Sequence, residues 1–99
     1  MVTKYDLFIE LYENGGPRKI IDLVKDLQQK KSEYDKIRKI LETLIEMKLI
    51  ARNEYGYERI MNQNNRHLYE MLKYCIKNDV NYNELFDATA AKYLSRAFL

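Results

Sequence analysis

Residues 47–60 read MKLIARNEYGYERI. A helical spacing of apolar residues ends there, and two short alternating runs flank one glycine. Leu49 to Asn53 and Tyr57 to Met61 are expected as strands, with Gly56 supplying the turn residue that takes positive φ. The alternation places Tyr57, Arg59 and Met61 on one face, with Glu58 and Ile60 on the other. Arg52 on the first strand adds a second arginine to this hairpin.

Upstream, the spacing predicts three helices. Thr3 is suited to cap the first, with Asp6 three residues on as its partner, and Leu7, Phe8, Leu11 and Tyr12 form its apolar stripe. Asn14-Gly15-Gly16 ends it. Pro17 suits the first turn of a second helix, in which Ile20, Ile21, Leu23, Val24 and Leu27 recur to about Gln28 before a polar break at Gln29, Lys30 and Lys31. Ser32 is the expected N-cap of a third helix running to about Lys48. Ile37, Ile40, Leu41, Leu44, Ile45 and Met47 make its apolar face, and Asp35, Lys36, Arg38, Lys39, Glu42 and Glu46 lie on the other side.

Downstream, Leu68, Leu72, Cys75 and Ile76 mark one side of a fourth helix, broken by Asn78-Asp79. Either Asn81 or Asn83 is placed to cap a fifth, which carries Leu85, Phe86, Tyr93, Leu94, Ala97 and Phe98. The fold class expected is therefore mostly α with a small β-hairpin. Residues 1–62 form a core unit, and residues 63–99 a helical extension of the same compact body.

Ninety-nine residues are enough for one domain with one core. With 46% apolar and 32% charged residues the composition is that of a globular chain rather than a disordered one. No apolar run reaches the length of a membrane span and no signal-peptide anatomy opens the chain, so no membrane partner is expected. A single cysteine rules out an internal disulfide and points to a reducing, cytoplasmic setting. His67 and Cys75 lie eight apart on one expected helix, roughly 12 Å along its axis, too far to share an ion. No nucleophile–base pair, phosphate-cradling loop or catalytic acid pair is present, so no enzyme activity and no cofactor are expected.

The net charge is only +2, but it is unevenly spread. Residues 16–52 hold ten Lys or Arg against six Asp or Glu, whereas residues 53–99 hold six of each. The basic excess thus coincides with the second and third helices and the first strand.

Three helices followed by a hairpin is the order of a winged helix-turn-helix. The stretch IIDLVKDLQQKKSEYDKIRKILETLIEMKLIARNEYGYERI, residues 20–60, resembles that superfamily. Ile20, Leu23, Val24 and Leu27 match its second helix and Gln28 to Lys31 its turn; Ser32 with Ile37, Leu41 and Leu44 matches its recognition helix. Lys48-Leu49-Ile50 stands where many members have Gly-Leu-Ile. The resemblance covers about 40 residues as a pattern of apolar spacing. It is specific for the fold and weak for function.

The resemblance implies a winged helix-turn-helix core, followed here by the two C-terminal helices read from the spacing. It also implies sequence-specific binding of double-stranded DNA by a transcription regulator acting as a homodimer. The apolar load of the C-terminal helices, Leu68, Leu72, Ile76, Leu85, Phe86, Tyr93, Leu94 and Phe98, is expected to form the dimer face; the plainer reading is a fifth helix folded back onto the first. The expected DNA contacts are Lys30, Lys31, Ser32, Asp35, Lys36, Arg38 and Lys39 on the turn and third helix. Arg52, Tyr55 and Arg59 are expected from the hairpin. The plainer reading is a solvated helix face for Lys36, Arg38 and Lys39, cross-strand pairing with Glu54 and Glu58 for Arg52 and Arg59, and packing for Tyr55. Two other uses fit the same pattern. One is a protein-docking module, suggested by the acidic residues interleaved on the third helix. The other is the N-terminal DNA-targeting part of a larger protein, because AKYLSRAFL stops mid-pattern without a cap.

Overall fold

Four helices and one antiparallel hairpin make up residues 2–83, the part of the chain that the computed structural model describes; the chain is mostly α with a small β-hairpin. The expected fifth-helix residues Leu85, Phe86, Tyr93, Leu94, Ala97 and Phe98 lie outside the described residues.

The first helix, α1 (Lys4–Asn14), begins as its residues require. The Asp6 carboxylate accepts the Thr3 backbone N–H at 2.9 Å, closing the capping box. Gly15, at φ 77°, ends it with its N–H directed to the Leu11 carbonyl. Leu7, Phe8 and Leu11 are fully buried, and α1 packs against the third helix, the second strand and the fourth helix.

The second helix, α2 (Ile20–Asp26), is shorter than expected and excludes Pro17. Arg18 is paired as a strand residue instead. Its N–H donates to the Tyr57 carbonyl and its carbonyl accepts the Tyr57 N–H, both at 2.8 Å. That exchange holds the chain extended and delays the helix to Ile20. It also explains Gly56, at φ 132°, because a Cβ there would lie 2.5 Å from the Arg18 carbonyl oxygen.

Gln28 terminates α2 at φ 54°. Its N–H reaches the Lys25 carbonyl at 3.0 Å, and the Gln29 N–H reaches Val24 at 2.8 Å, the hydrogen-bond pattern of a Schellman stop. Ser32 is not the cap of the third helix. It sits inside a 3-10 turn, Lys31–Glu33, and α3 runs from Tyr34 to Glu46 with Glu33 at the cap position and no side-chain cap. The turn satisfies the leading amides itself, beginning with Glu33 N–H to Lys30 O at 2.9 Å, and leaves the serine in solvent. Ile37, Leu41 and Leu44 are buried against α1 and α2, as the spacing predicts.

The end of α3 repeats the Schellman stop. Lys48 takes φ 61°, its N–H bonds to Ile45 at 2.9 Å, and the Leu49 N–H bonds to Leu44 at 3.0 Å while both leucines are buried. The strands β1 (Ile50–Asn53) and β2 (Gly56–Arg59) are shorter than expected; Leu49, Ile60 and Met61 fall outside them. The register pairs Ile50 with Arg59 and Arg52 with Tyr57. Directly opposed residues share a face, so Ile50, Arg52, Tyr57 and Arg59 all lie on the inward side. Met61 is exposed and does not join that face.

The fourth helix, α4 (Gln63–Lys77), is capped by Asn62, whose side chain accepts the Asn65 N–H at 2.8 Å. Asn65 is the one buried polar residue among the described residues. Its Nδ2 donates to the Lys48 carbonyl at 3.1 Å and the Ile60 carbonyl at 2.9 Å, closing both roots of the hairpin. Leu72 and Cys75 are buried and Leu68 packs on the core, but Ile76 is 47% exposed rather than part of that stripe. Leu72 is therefore spent within its own chain and does not supply a dimer face, and Leu68 is partly so. Beyond a third Schellman stop at Asp79, φ 56°, the Asn81 side chain accepts the Asn83 N–H at 3.2 Å. Tyr82 lies against the first turn of α1, its ring edge-on to Tyr5 at 6.4 Å and its hydroxyl donating to Asp6. Burial and that carboxylate push the Tyr82 phenol up. Among the described residues no helix is long and apolar enough to cross a membrane.

Candidate nucleic-acid interface

The expected site residues fall into three groups with different surroundings. On α3, Ile37, Leu41 and Leu44 face the core, which at about 100° per residue turns Asp35, Lys39 and Glu42 directly outward; all three are exposed. Lys36 and Arg38 are exposed too, but each has a carboxylate beside it: Lys36 Nζ lies 3.7 Å from Glu33, and Arg38 lies 3.3 Å from Asp35. Pairs this exposed contribute little to stability, but they neutralise charge locally. Lys39 has no ion-pair partner among the described residues.

The turn before α3 forms the second group. Lys30, Lys31 and Ser32 are exposed, and neither lysine has an ion-pair partner among the described residues. Gln28, Gln29, Lys30, Glu33 and Lys36 line an open depression of about 360 Å³ there.

The hairpin separates its two arginines. Arg59 is turned into the protein: its guanidinium donates to the Tyr12 carbonyl and lies 5.2 Å above the Tyr12 ring. That ring stacks at 4.4 Å on Tyr69 of α4, whose hydroxyl lies 3.2 Å from Glu13, which also holds Lys73 at 3.2 Å. Burial and Glu13 raise the Tyr69 phenol, and the hydrogen bond to Glu13 raises Lys73. Arg59 thus pairs with neither Glu54 nor Glu58. Glu58 instead accepts from Asn53 Nδ2 at 2.6 Å, while Asn53 Oδ1 accepts the Tyr55 N–H at 2.8 Å and shapes the tip. Tyr55 is 66% exposed at that tip, so it is not a packing residue within this chain.

Arg52 is exposed and has no ion-pair partner among the described residues. It borders a cleft of about 320 Å³ between the hairpin and the starts of α2 and α3, where Lys19, Ile21 and Tyr34 face it. The sequence reading places neither Lys19 nor Tyr34 in the candidate site. Only the Arg18–Tyr57 pairing brings Lys19 to the hairpin, and no local pattern signals that pairing. Tyr34 is concealed because the helix begins two residues after its expected serine cap.

His67 is exposed and Cys75 buried on α4. Among the described residues, no group of three His, Cys, Asp or Glu side chains is placed to hold a metal ion. Compared with protein-family models, curated proteins and solved structures, the chain matches none of them.

Proposed function

We propose that this chain is a winged helix-turn-helix protein that binds double-stranded DNA sequence-specifically, as a cytoplasmic transcription regulator and as a homodimer. The observation that carries the reading is the disposition of α2, its tight turn and α3 beside a hairpin that Arg18 extends by a third, single-residue strand. A helix of this kind fits a major groove with its exposed side chains against base edges. The hairpin then follows the adjoining backbone. Among the described residues, the exposed cations without ion-pair partners include Lys30, Lys31, Lys39 and Arg52, on the turn, the helix and the hairpin, where phosphates flanking such a groove would lie. Arg59 is assigned to holding the hairpin, not to phosphate.

For the homodimer, the support is exposed apolar surface on and after α4: Met71, Tyr74, Ile76 and Val80 are 41–68% exposed, in place of the partly buried Leu68 and the buried Leu72. Selection from a random duplex library, followed by binding across a salt series, tests the main reading. An enriched motif and a steep loss of affinity with salt are expected; no enrichment and no salt-dependent binding would overturn it.

One observation favours a protein-docking module as the second reading. Lys36 and Arg38 each have a carboxylate on the same turn or helix, so the outward face of α3 is near electrical balance. A docking surface would give stoichiometric capture of a defined protein partner with no preference among duplex sequences.

A further inference from the structure

The cleft beneath the hairpin has the chemistry of a site that the sequence pattern does not assign. Lys19 enters it from the start of α2 and Arg52 from β1, and neither has an ion-pair partner among the described residues. Tyr34, 40% exposed, and Ile21, 38% exposed, line the same cleft. Two cations lining one cleft with an aromatic and an aliphatic side chain suit an anion joined to a flat, weakly polar group. They do not suit a metal ion or a wholly apolar ligand. Asn53 also borders the cleft, but its side chain is engaged with Glu58 and the Tyr55 amide.

We propose that this cleft seats one backbone phosphodiester of duplex DNA, with Lys19 and Arg52 neutralising the phosphate and the Tyr34 ring covering the adjoining deoxyribose. The proposal rests on the DNA-binding reading above and adds an anchor at the first turn of α3, on the side facing the hairpin. Such an anchor fixes where the helix enters the groove without reading a base. It also compensates for the balanced charge of α3 itself, because the attraction comes from cations on its flanks. Glu54 lies on the same cleft and opposes the anion.

The test is binding of a labelled random-sequence duplex by the full chain, measured as log affinity against log salt. Lys19→Ala and Arg52→Ala are each expected to reduce the slope by about 0.9, and the double variant by about twice that. Tyr34→Ala should lose affinity at every salt concentration with no change of slope, while Tyr34→Phe should bind like the parent. Glu54→Gln should bind more tightly. All four positions are solvent-exposed side chains, and thermal unfolding verifies that each variant folds. If the parent binds DNA but Lys19→Ala and Arg52→Ala leave the slope unchanged, this cleft is not a phosphate seat while the wider reading stands. If the parent shows no salt-dependent binding, the DNA-binding reading fails and this assignment fails with it.

Discussion

The root and the tip of the hairpin are made from the same inward face but are used differently. At the root, Ile50 is fully buried, Arg59 is bound to Tyr12, and Asn65 closes both ends through the Lys48 and Ile60 carbonyls. Toward the tip, Arg52 lies on the same face two residues from Ile50 yet is exposed, and Tyr55 is exposed beyond it. A two-stranded hairpin is marginal by itself in water, so one end must be held if the other is to be presented. The three residues at the root hold it to α1, α3 and α4, which leaves the tip free to meet a partner.

The largest expected effect belongs to Asn65, the polar hub of the root. Asn65→Ala would remove two donated hydrogen bonds and leave two inward carbonyls without their partner. A loss of about 2 to 4 kcal/mol in denaturant unfolding is expected, with hairpin amides exchanging faster than those of α1. A loss below about 0.5 kcal/mol would mean that the hairpin is held elsewhere.

A sharper comparison sets the two arginines against each other. Arg59→Ala should lower stability by about 1 to 2 kcal/mol, since it removes a charged donor and a ring contact from a partly buried position. It should leave the salt dependence of DNA binding unchanged. Arg52→Ala should leave stability within about 0.5 kcal/mol. The opposite outcome, with Arg52 stabilising and Arg59 setting the salt slope, would erase the distinction between root and tip.

These assignments also show what could be read without coordinates. The helix stripes of α1 and α3 and the hairpin were legible because each is a local pattern: apolar residues at helical spacing, or a glycine between alternating runs. Gly56 takes the positive φ expected of it but is the first residue of β2, the turn itself being Glu54 and Tyr55. The two arginines looked equivalent because alternation reports a face, whereas the neighbour at each height comes from a different helix. Lys19 was illegible for a related reason, since its place depends on the Arg18–Tyr57 pairing across about 40 residues of chain. Ser32 misled because a good capping residue does not cap when a 3-10 turn satisfies the leading amides.

The helix stops were legible in place, near Gln28, Lys48 and Asn78-Asp79, but not in mechanism. Among the described residues, only α1 ends at a glycine; α2, α3 and α4 end with Gln28, Lys48 and Asp79 in the left-handed region. Those stops are enforced by backbone hydrogen bonds and, at Leu44–Leu49, by an apolar pair that holds the chain as it leaves the helix.

The smallest effect expected is a gain, and it tests the root from the backbone side. Lys48 is the residue through which α3 passes into β1, at φ 61°, a conformation that costs a non-glycine residue about 1 kcal/mol. Lys48→Gly would relieve that cost, and part of the relief would be offset by the greater freedom of glycine in the unfolded chain. A net gain of about 0.5 kcal/mol is expected, or about 2 to 4 °C in the unfolding midpoint for a chain of this size. Lys48→Ala removes the same charge but keeps the backbone cost, so it should show no gain. Equal stability of the two variants would mean that the strain is not at this residue. A gain with glycine alone would show that the hairpin is launched from a position where the backbone opposes it. The root contacts, Asn65 above all, would then be what offsets that cost.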